Sequence, residues 1–103
     1  MGDIKTVLEQ AIASITEVTD YFYKQQINEG YKRFQDTLDV MTAAVEELFN
    51  YKALQGLEFD ENRLVATLKE ALDAMEQKDP ILMADILQYD LLEQFEGLKA
   101  AVH

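Results

Sequence analysis

The sequence predicts an all-α domain, a four-helix antiparallel up-down bundle spanning residues 1–103, on three observations. Apolar residues recur at alternating spacings of three and four along four stretches, which is one face of a helix. No stretch alternates with period two, so strands are not expected. Turn and capping residues fall at three places only, and the short connections this leaves make consecutive helices antiparallel neighbours. A chain of 103 residues is close to the common size of one domain and leaves no room for a second core. The alternative arrangement is a helical hairpin pair that completes its core on dimerisation.

The first helix starts after Asp3, an N-cap residue, and places Ile4, Leu8, Ala11, Ile15, Val18 and Phe22 on one seam. Ile12 widens that seam to the breadth of a globular bundle helix. The helix should run to about Gln26, with the break at Asn28-Glu29-Gly30, where Asn and Gly both tolerate the left-handed backbone that ends helices. Ile27, Tyr31, Phe34, Leu38, Met41, Val45 and Leu48 then form an unbroken heptad pattern. This second helix should end near Lys52 or Ala53, since Gln55-Gly56-Leu57-Glu58-Phe59 loses the period. Asp60 caps a third helix, with Glu61 in its first turn and Leu64, Leu68, Ala71, Leu72 and Met75 as its stripe. Lys78 suits the end of that helix. Asp79-Pro80 marks the sharpest boundary, because a proline at the first helical position loses an amide that had no partner anyway. The fourth helix should run from Pro80 to about Ala101, its seam formed by Ala84, Leu87, Leu91, Phe95, Leu98 and Val102. Gly97 costs it roughly 1 kcal/mol of helix propensity, which its apolar neighbours outweigh.

Twenty acidic side chains stand against nine basic ones, a net charge of −11. A nucleic-acid binder needs clustered Lys and Arg to displace phosphate counterions, so DNA, RNA and anionic membrane surfaces are poor partners. With no Cys, disulfide scaffolds, thiol catalysis and zinc-thiolate sites are all out of reach. Nothing at the N-terminus resembles a targeting segment, and the longest nearly apolar run, Ile81 to Leu92, falls short of a membrane span of ~20 residues. A cytoplasmic protein is the expectation.

Catalytic groups are few. The sole His is His103, the last residue of the sequence, read as a tail rather than a ligand. Ser14 has no His to activate it. No catalytic, cofactor-binding or metal-binding residue is assigned. Carboxylates are the one abundant resource, and the alternative function is a divalent-metal-dependent hydrolase of the all-helical nucleotide-pyrophosphatase type. Such a site needs acidic pairs at i and i+3 on neighbouring helices, and Glu70/Asp73 and Asp90/Glu93 have that spacing. On ideal helices both pairs fall on solvated faces, without the basic cluster that phosphate requires. Asp60-Glu61-Asn62 lacks the Gly and terminal Glu of a calcium loop and is read as a cap.

The fourth helix is more apolar than one seam requires. Leu82, Ile86 and Tyr89 form a second stripe about 140–200° round from Ala84, bordered by Asp85 and Asp90. Either Leu57, Phe59 and the second connection cover it, or it is an intermolecular contact rimmed by negative charge. The segment Lys78-Asp79-Pro80-Ile81-Leu82-Met83-Ala84-Asp85-Ile86-Leu87-Gln88-Tyr89-Asp90-Leu91-Leu92 resembles one in small uncharacterised acidic helical proteins of Gram-positive bacteria. There a pattern of the kind D-x-x-L-x-A-D-I-L-x-Y-x-L precedes the C-terminus. The resemblance implies that Asp85 and Tyr89 act together, Asp85 orienting the Tyr89 hydroxyl or both forming a recognition patch. No activity carries over from it.

The function expected from these residues is therefore that of a non-enzymatic helical bundle. It binds protein, either a second copy as a homodimer or a helical client in the manner of an adaptor or chaperone. Leu82, Asp85, Ile86, Tyr89 and Asp90 would be its partner-binding residues.

Overall fold

The computed structural model describes residues 3–102, and the described residues are helical with no strand. The expectation for His103 lies outside them. Helix α1 covers Ile4–Tyr23, α2 Ile27–Gln55 and α3 Glu61–Glu76. A fourth continuous run is built from α4 (Pro80–Ile86), a π-helical turn (Leu87–Leu91) and α5 (Leu92–Ala101), here called together the C-terminal helix. Among the described residues no helix is long and apolar enough to cross a membrane.

The three caps read from the sequence are made. The carboxylates of Asp3, Asp60 and Asp79 accept from the amides of Lys5 (3.3 Å), Arg63 (3.0 Å) and Leu82 (3.1 Å). The first break is not where the sequence put it. It lies at residues 24–26, ahead of Asn28-Glu29-Gly30, and α2 runs to Gln55, slightly past Ala53, before Gly56 turns left-handed at φ 74°. The residue that reverses the chain after α1 is Gln25, at φ 62°, and Lys78 does the same after α3 at φ 57°. In both turns the amide after the reversing residue reaches back five residues: Gln26 to the Tyr21 carbonyl at 2.9 Å, and Asp79 to the Ala74 carbonyl at 3.0 Å. This is the Schellman arrangement, usually occupied by glycine. A left-handed L-residue costs about 1–2 kcal/mol, and glycine returns about 0.4–1 kcal/mol of that through a freer unfolded chain. Gln25→Gly and Lys78→Gly should therefore each raise stability by roughly 0.5–1 kcal/mol. Urea denaturation should show higher midpoints at an unchanged slope.

α1 is the hub. Its seam residues Leu8, Ala11, Ile15, Val18 and Phe22 are fully buried, with α2 on one flank and the C-terminal helix on the other. Phe22 meets Tyr31 edge-on, Ser14 and Thr37 share a 2.9 Å hydrogen bond, and Glu17 pairs with Arg33 at 2.9 Å. Across the other flank Tyr23 donates to Asp85, and Glu9 pairs with Lys99 at 3.5 Å. The C-terminal helix in turn carries α3 on its far side. Four of its buried residues, Met83, Leu87, Leu91 and Phe95, follow one another at uniform intervals of four. On a regular α-helix each such step drifts by about 40°, so the row would wind off the core. The wide π-turn, itself ending at Leu91, takes up that drift and keeps the row facing inward.

Candidate functional site

The described helices leave one edge of the assembly open. α1 pairs with α2, the C-terminal helix pairs with α1 and α3, but α2 and α3 do not pack closely on each other. They are joined by residues 56–60, where the Phe59 ring meets Phe49 at a tilt of 52° with centroids 6.0 Å apart and Lys52 pairs with Glu61. Above that junction lies a cleft of about 200 Å³.

The cleft follows from which residues each helix turns inward. α2 buries Gly30, Phe34, Thr37, Met41, Ala44 and Leu48, and α3 buries Leu64, Thr67, Ala71 and Ala74. Small residues at Thr37, Ala44, Thr67 and Ala74 allow α2 to approach α1, and α3 the C-terminal helix. The price of that approach is rotation: Leu38, Val45 and Leu68, expected at the centre of their seams, are only half-buried, and Leu72 is 39% exposed. These side chains face one another across the cleft, over a floor that includes Phe34, Met41 and Ala71. Thr42 and Glu46 are the polar residues on its walls, and the Thr42 hydroxyl is spent on the Leu38 carbonyl at 2.8 Å. Such a surface offers apolar contact and one carboxylate edge.

The residues named from the sequence are placed differently. Leu82 is 43% and Tyr89 67% exposed, while Ile86 is half-buried against the core. Phe59 lines a hollow with Leu98 and Ala101, at the other end of the C-terminal helix, so it does not cover the Leu82 stripe. Asp85 does not orient Tyr89. Its carboxylate accepts from the Tyr23 hydroxyl of α1 at 2.5 Å, because α1 crosses within its reach, and Tyr89 stays 67% exposed. Burial and then the Asp85 contact push the Tyr23 hydroxyl well above its ordinary pKa.

Asp90, expected on a solvated face, is half-buried in the contact with α3. Arg63 reaches it at 3.0 Å, Gln94 at 2.9 Å and the buried Thr67 hydroxyl at 3.2 Å, and Gln94 also donates to Thr67 at 2.8 Å. Burial alone would raise the Asp90 carboxyl, but these three hydrogen bonds overcome it and hold the group below its ordinary 3.8. A carboxyl depressed on folding stabilises above its unfolded pKa, and that contribution is lost as pH falls through the folded value. Asp90→Asn should therefore show a shallower loss of stability than the parent as the pH is lowered below about 4, read as denaturation midpoint against pH. An equally steep acid limb would remove Asp90 as its source.

Among the described residues no group of three or more His, Cys, Asp or Glu converges to hold a metal ion. The open cleft is the feature that residue patterning missed. The signal for it is the breadth of apolar surface on α2 and α3, where Leu38, Val45, Leu68 and Leu72 each sit next to a Thr or Ala that makes the closer contact.

No curated protein and no solved structure matches the chain. A family model described as a domain of unknown function, DUF8042, matches residues 1–101. The chain belongs to that DUF8042 family.

Proposed function

We propose that this chain is a non-enzymatic, cytoplasmic protein-binding module: an up-down antiparallel helical bundle, open along one edge, that receives a helix of another protein between α2 and α3. The antiparallel course is supported by the residues that meet. Glu17 faces Arg33 where Phe22 faces Tyr31, and Glu9 faces Lys99 where Tyr23 faces Asp85, so numbering rises on one helix as it falls on its neighbour. The observation that carries the reading is the cleft itself, with Leu38, Val45, Leu68 and Leu72 turned into it. Its walls are helices whose backbone groups are already paired internally, so strand addition is unavailable, and recognition falls to side chains in a groove. The cleft accommodates the apolar row of a helix laid along it rather than the helix whole.

The test is an amphipathic peptide of about 18 residues, roughly 27 Å when helical, with leucines at i, i+3, i+4 and i+7. Methyl NMR shifts should concentrate on Leu38, Val45, Leu68 and Leu72. Shifts scattered over the surface, or none, would overturn the reading. Its self-associating form would bring together Leu82 and Tyr89 of two copies, the exposed part of the second stripe. Sedimentation should then show a dimer that Leu82→Asp/Tyr89→Asp dissociates, and a parent chain that is monomeric removes this form. The hydrolase alternative draws on Asp90, whose carboxylate is engaged by Arg63, Thr67 and Gln94.

A further inference from the structure

We infer that the helix received between α2 and α3 is basic along the flank that lies against α2, a proposal that rests on the groove reading above. Asp39, Thr42 and Glu46 recur at i, i+3 and i+7, which sets them in one row along the outer edge of α2. Glu46 forms part of the cleft wall. Both carboxylates are on exposed residues, and among the described residues neither is in an ion pair. From Phe34, where the cleft lining begins, to Tyr51 the helix carries no Lys or Arg, and the cation on this edge, Lys32, stands two turns before Asp39 and outside the cleft lining. The α3 edge differs, since Lys69 stands there one turn or two from Asp73 and Glu76. Alongside the cleft the two rims therefore make unequal demands: negative on α2, mixed on α3. An occupant with cations on one flank and neutral or mixed residues on the other satisfies both, and this asymmetry also sets which way round the helix lies. A second copy of the chain is the wrong occupant electrostatically, because each copy carries a net charge of −11 and its own helices would present more acid to the acidic rim.

The experiment uses two synthetic helices that share one leucine row and differ on one flank, Lys in the first and Glu in the second. Each is titrated against the full chain by fluorescence anisotropy at about 0.05 M and about 0.5 M salt. The Lys peptide should bind at least tenfold more tightly at low salt, with the gap closing at high salt as exposed charges are screened. Asp39→Lys/Glu46→Lys should close or invert the gap. Glu93→Lys/Glu96→Lys changes the net charge equally at exposed positions on the C-terminal helix, away from the cleft lining, and should leave most of the gap standing. Leu72→Asp, checked for retained helicity, should weaken both peptides. Equal affinity of the two peptides, with Leu72→Asp still weakening them, overturns the charged flank and leaves the groove. Equal effects of the two double variants overturn the rim as the source, assigning the attraction to total charge. Absence of binding by either peptide, or binding indifferent to Leu72→Asp, overturns the groove itself and the inference with it.

Discussion

Gly30→Ala should destabilise the chain, against the helix propensity of the substitution. In an unobstructed helix interior alanine is better than glycine by about 1 kcal/mol. At this position a Cβ would stand 2.5 Å from Cε1 and 2.7 Å from Cδ1 of Phe22. The ring has nowhere to go: it is fully buried and packed edge-on against Tyr31, with centroids 5.1 Å apart. Forcing a carbon into so close a contact costs typically ~1–3 kcal/mol. After the propensity gain the expected net loss is about 1–2 kcal/mol, and Gly30→Val should lose more through its two branches. Phe22→Ala, which empties the other side of the same contact, should cost about 3–5 kcal/mol. The mechanism has a signature in the double variant. Once Phe22→Leu has removed the ring edge, Gly30→Ala should become neutral or stabilising, a coupling that denaturation midpoints at constant slope would reveal. An alanine variant more stable than the parent in both backgrounds would mean that α1 and α2 are not in this contact.

The contrast between Gly30 and Gln25 shows what the sequence makes legible. Helix content, the α1 seam and the caps at Asp3, Asp60 and Asp79 rest on local chemistry, which neighbouring residues express directly. The first break does not. Glycine was the natural candidate for the reversal, yet Gln25 takes the left-handed backbone, while Gly30 answers to a ring eight residues away that a Cβ would strike. The cleft was hidden for a related reason. A hydrophobicity pattern centres a seam on Leu38 and Val45 or on Leu68 and Leu72. The closeness of the neighbouring helix centres it instead on Thr37, Ala44, Thr67 and Ala74, whose virtue is size. Asp85 and Asp90 were read as border charges because their partners, Tyr23 and Arg63, lie 62 and 27 residues away. That Leu82 and Tyr89 lie off the core seam was legible, since that depends only on their own helix, whereas their exposure, 43% and 67%, depends on where the second connection runs and was left open by the sequence.

Deleting Tyr89 should leave the chain folded, whereas deleting Ala13 should cost it several kcal/mol. A residue removed from a regular helix rotates everything beyond it by about 100° relative to what precedes it. In α1 that would turn Ile15, Val18 and Phe22, all fully buried, out of the core and bring Thr16, Thr19 and Tyr23 into their places. If the later half kept its register, Ile4 and Leu8 would be displaced instead. Either way at least one large core side chain is lost, each worth about 2–5 kcal/mol. The π-turn at Leu87–Leu91 is the one place where this argument reverses. It accommodates one residue more than an α-turn does, so removing one restores α-helical geometry, with Leu87 and Leu91 still a turn apart and Phe95 and Leu98 undisturbed. Tyr89 is the residue to remove, because it is 67% exposed, while Asp90 and Gln94 bind α3. The shortened chain should keep its helicity and its cooperative unfolding, with a midpoint within about 1 kcal/mol of the parent, as befits an exposed side chain. Circular dichroism and urea denaturation on the two deletions decide it. If loss of Tyr89 is as damaging as loss of Ala13, the wide turn is not what aligns Met83, Leu87, Leu91 and Phe95. The row must then be held by the packing of α1 and α3 on either side of it.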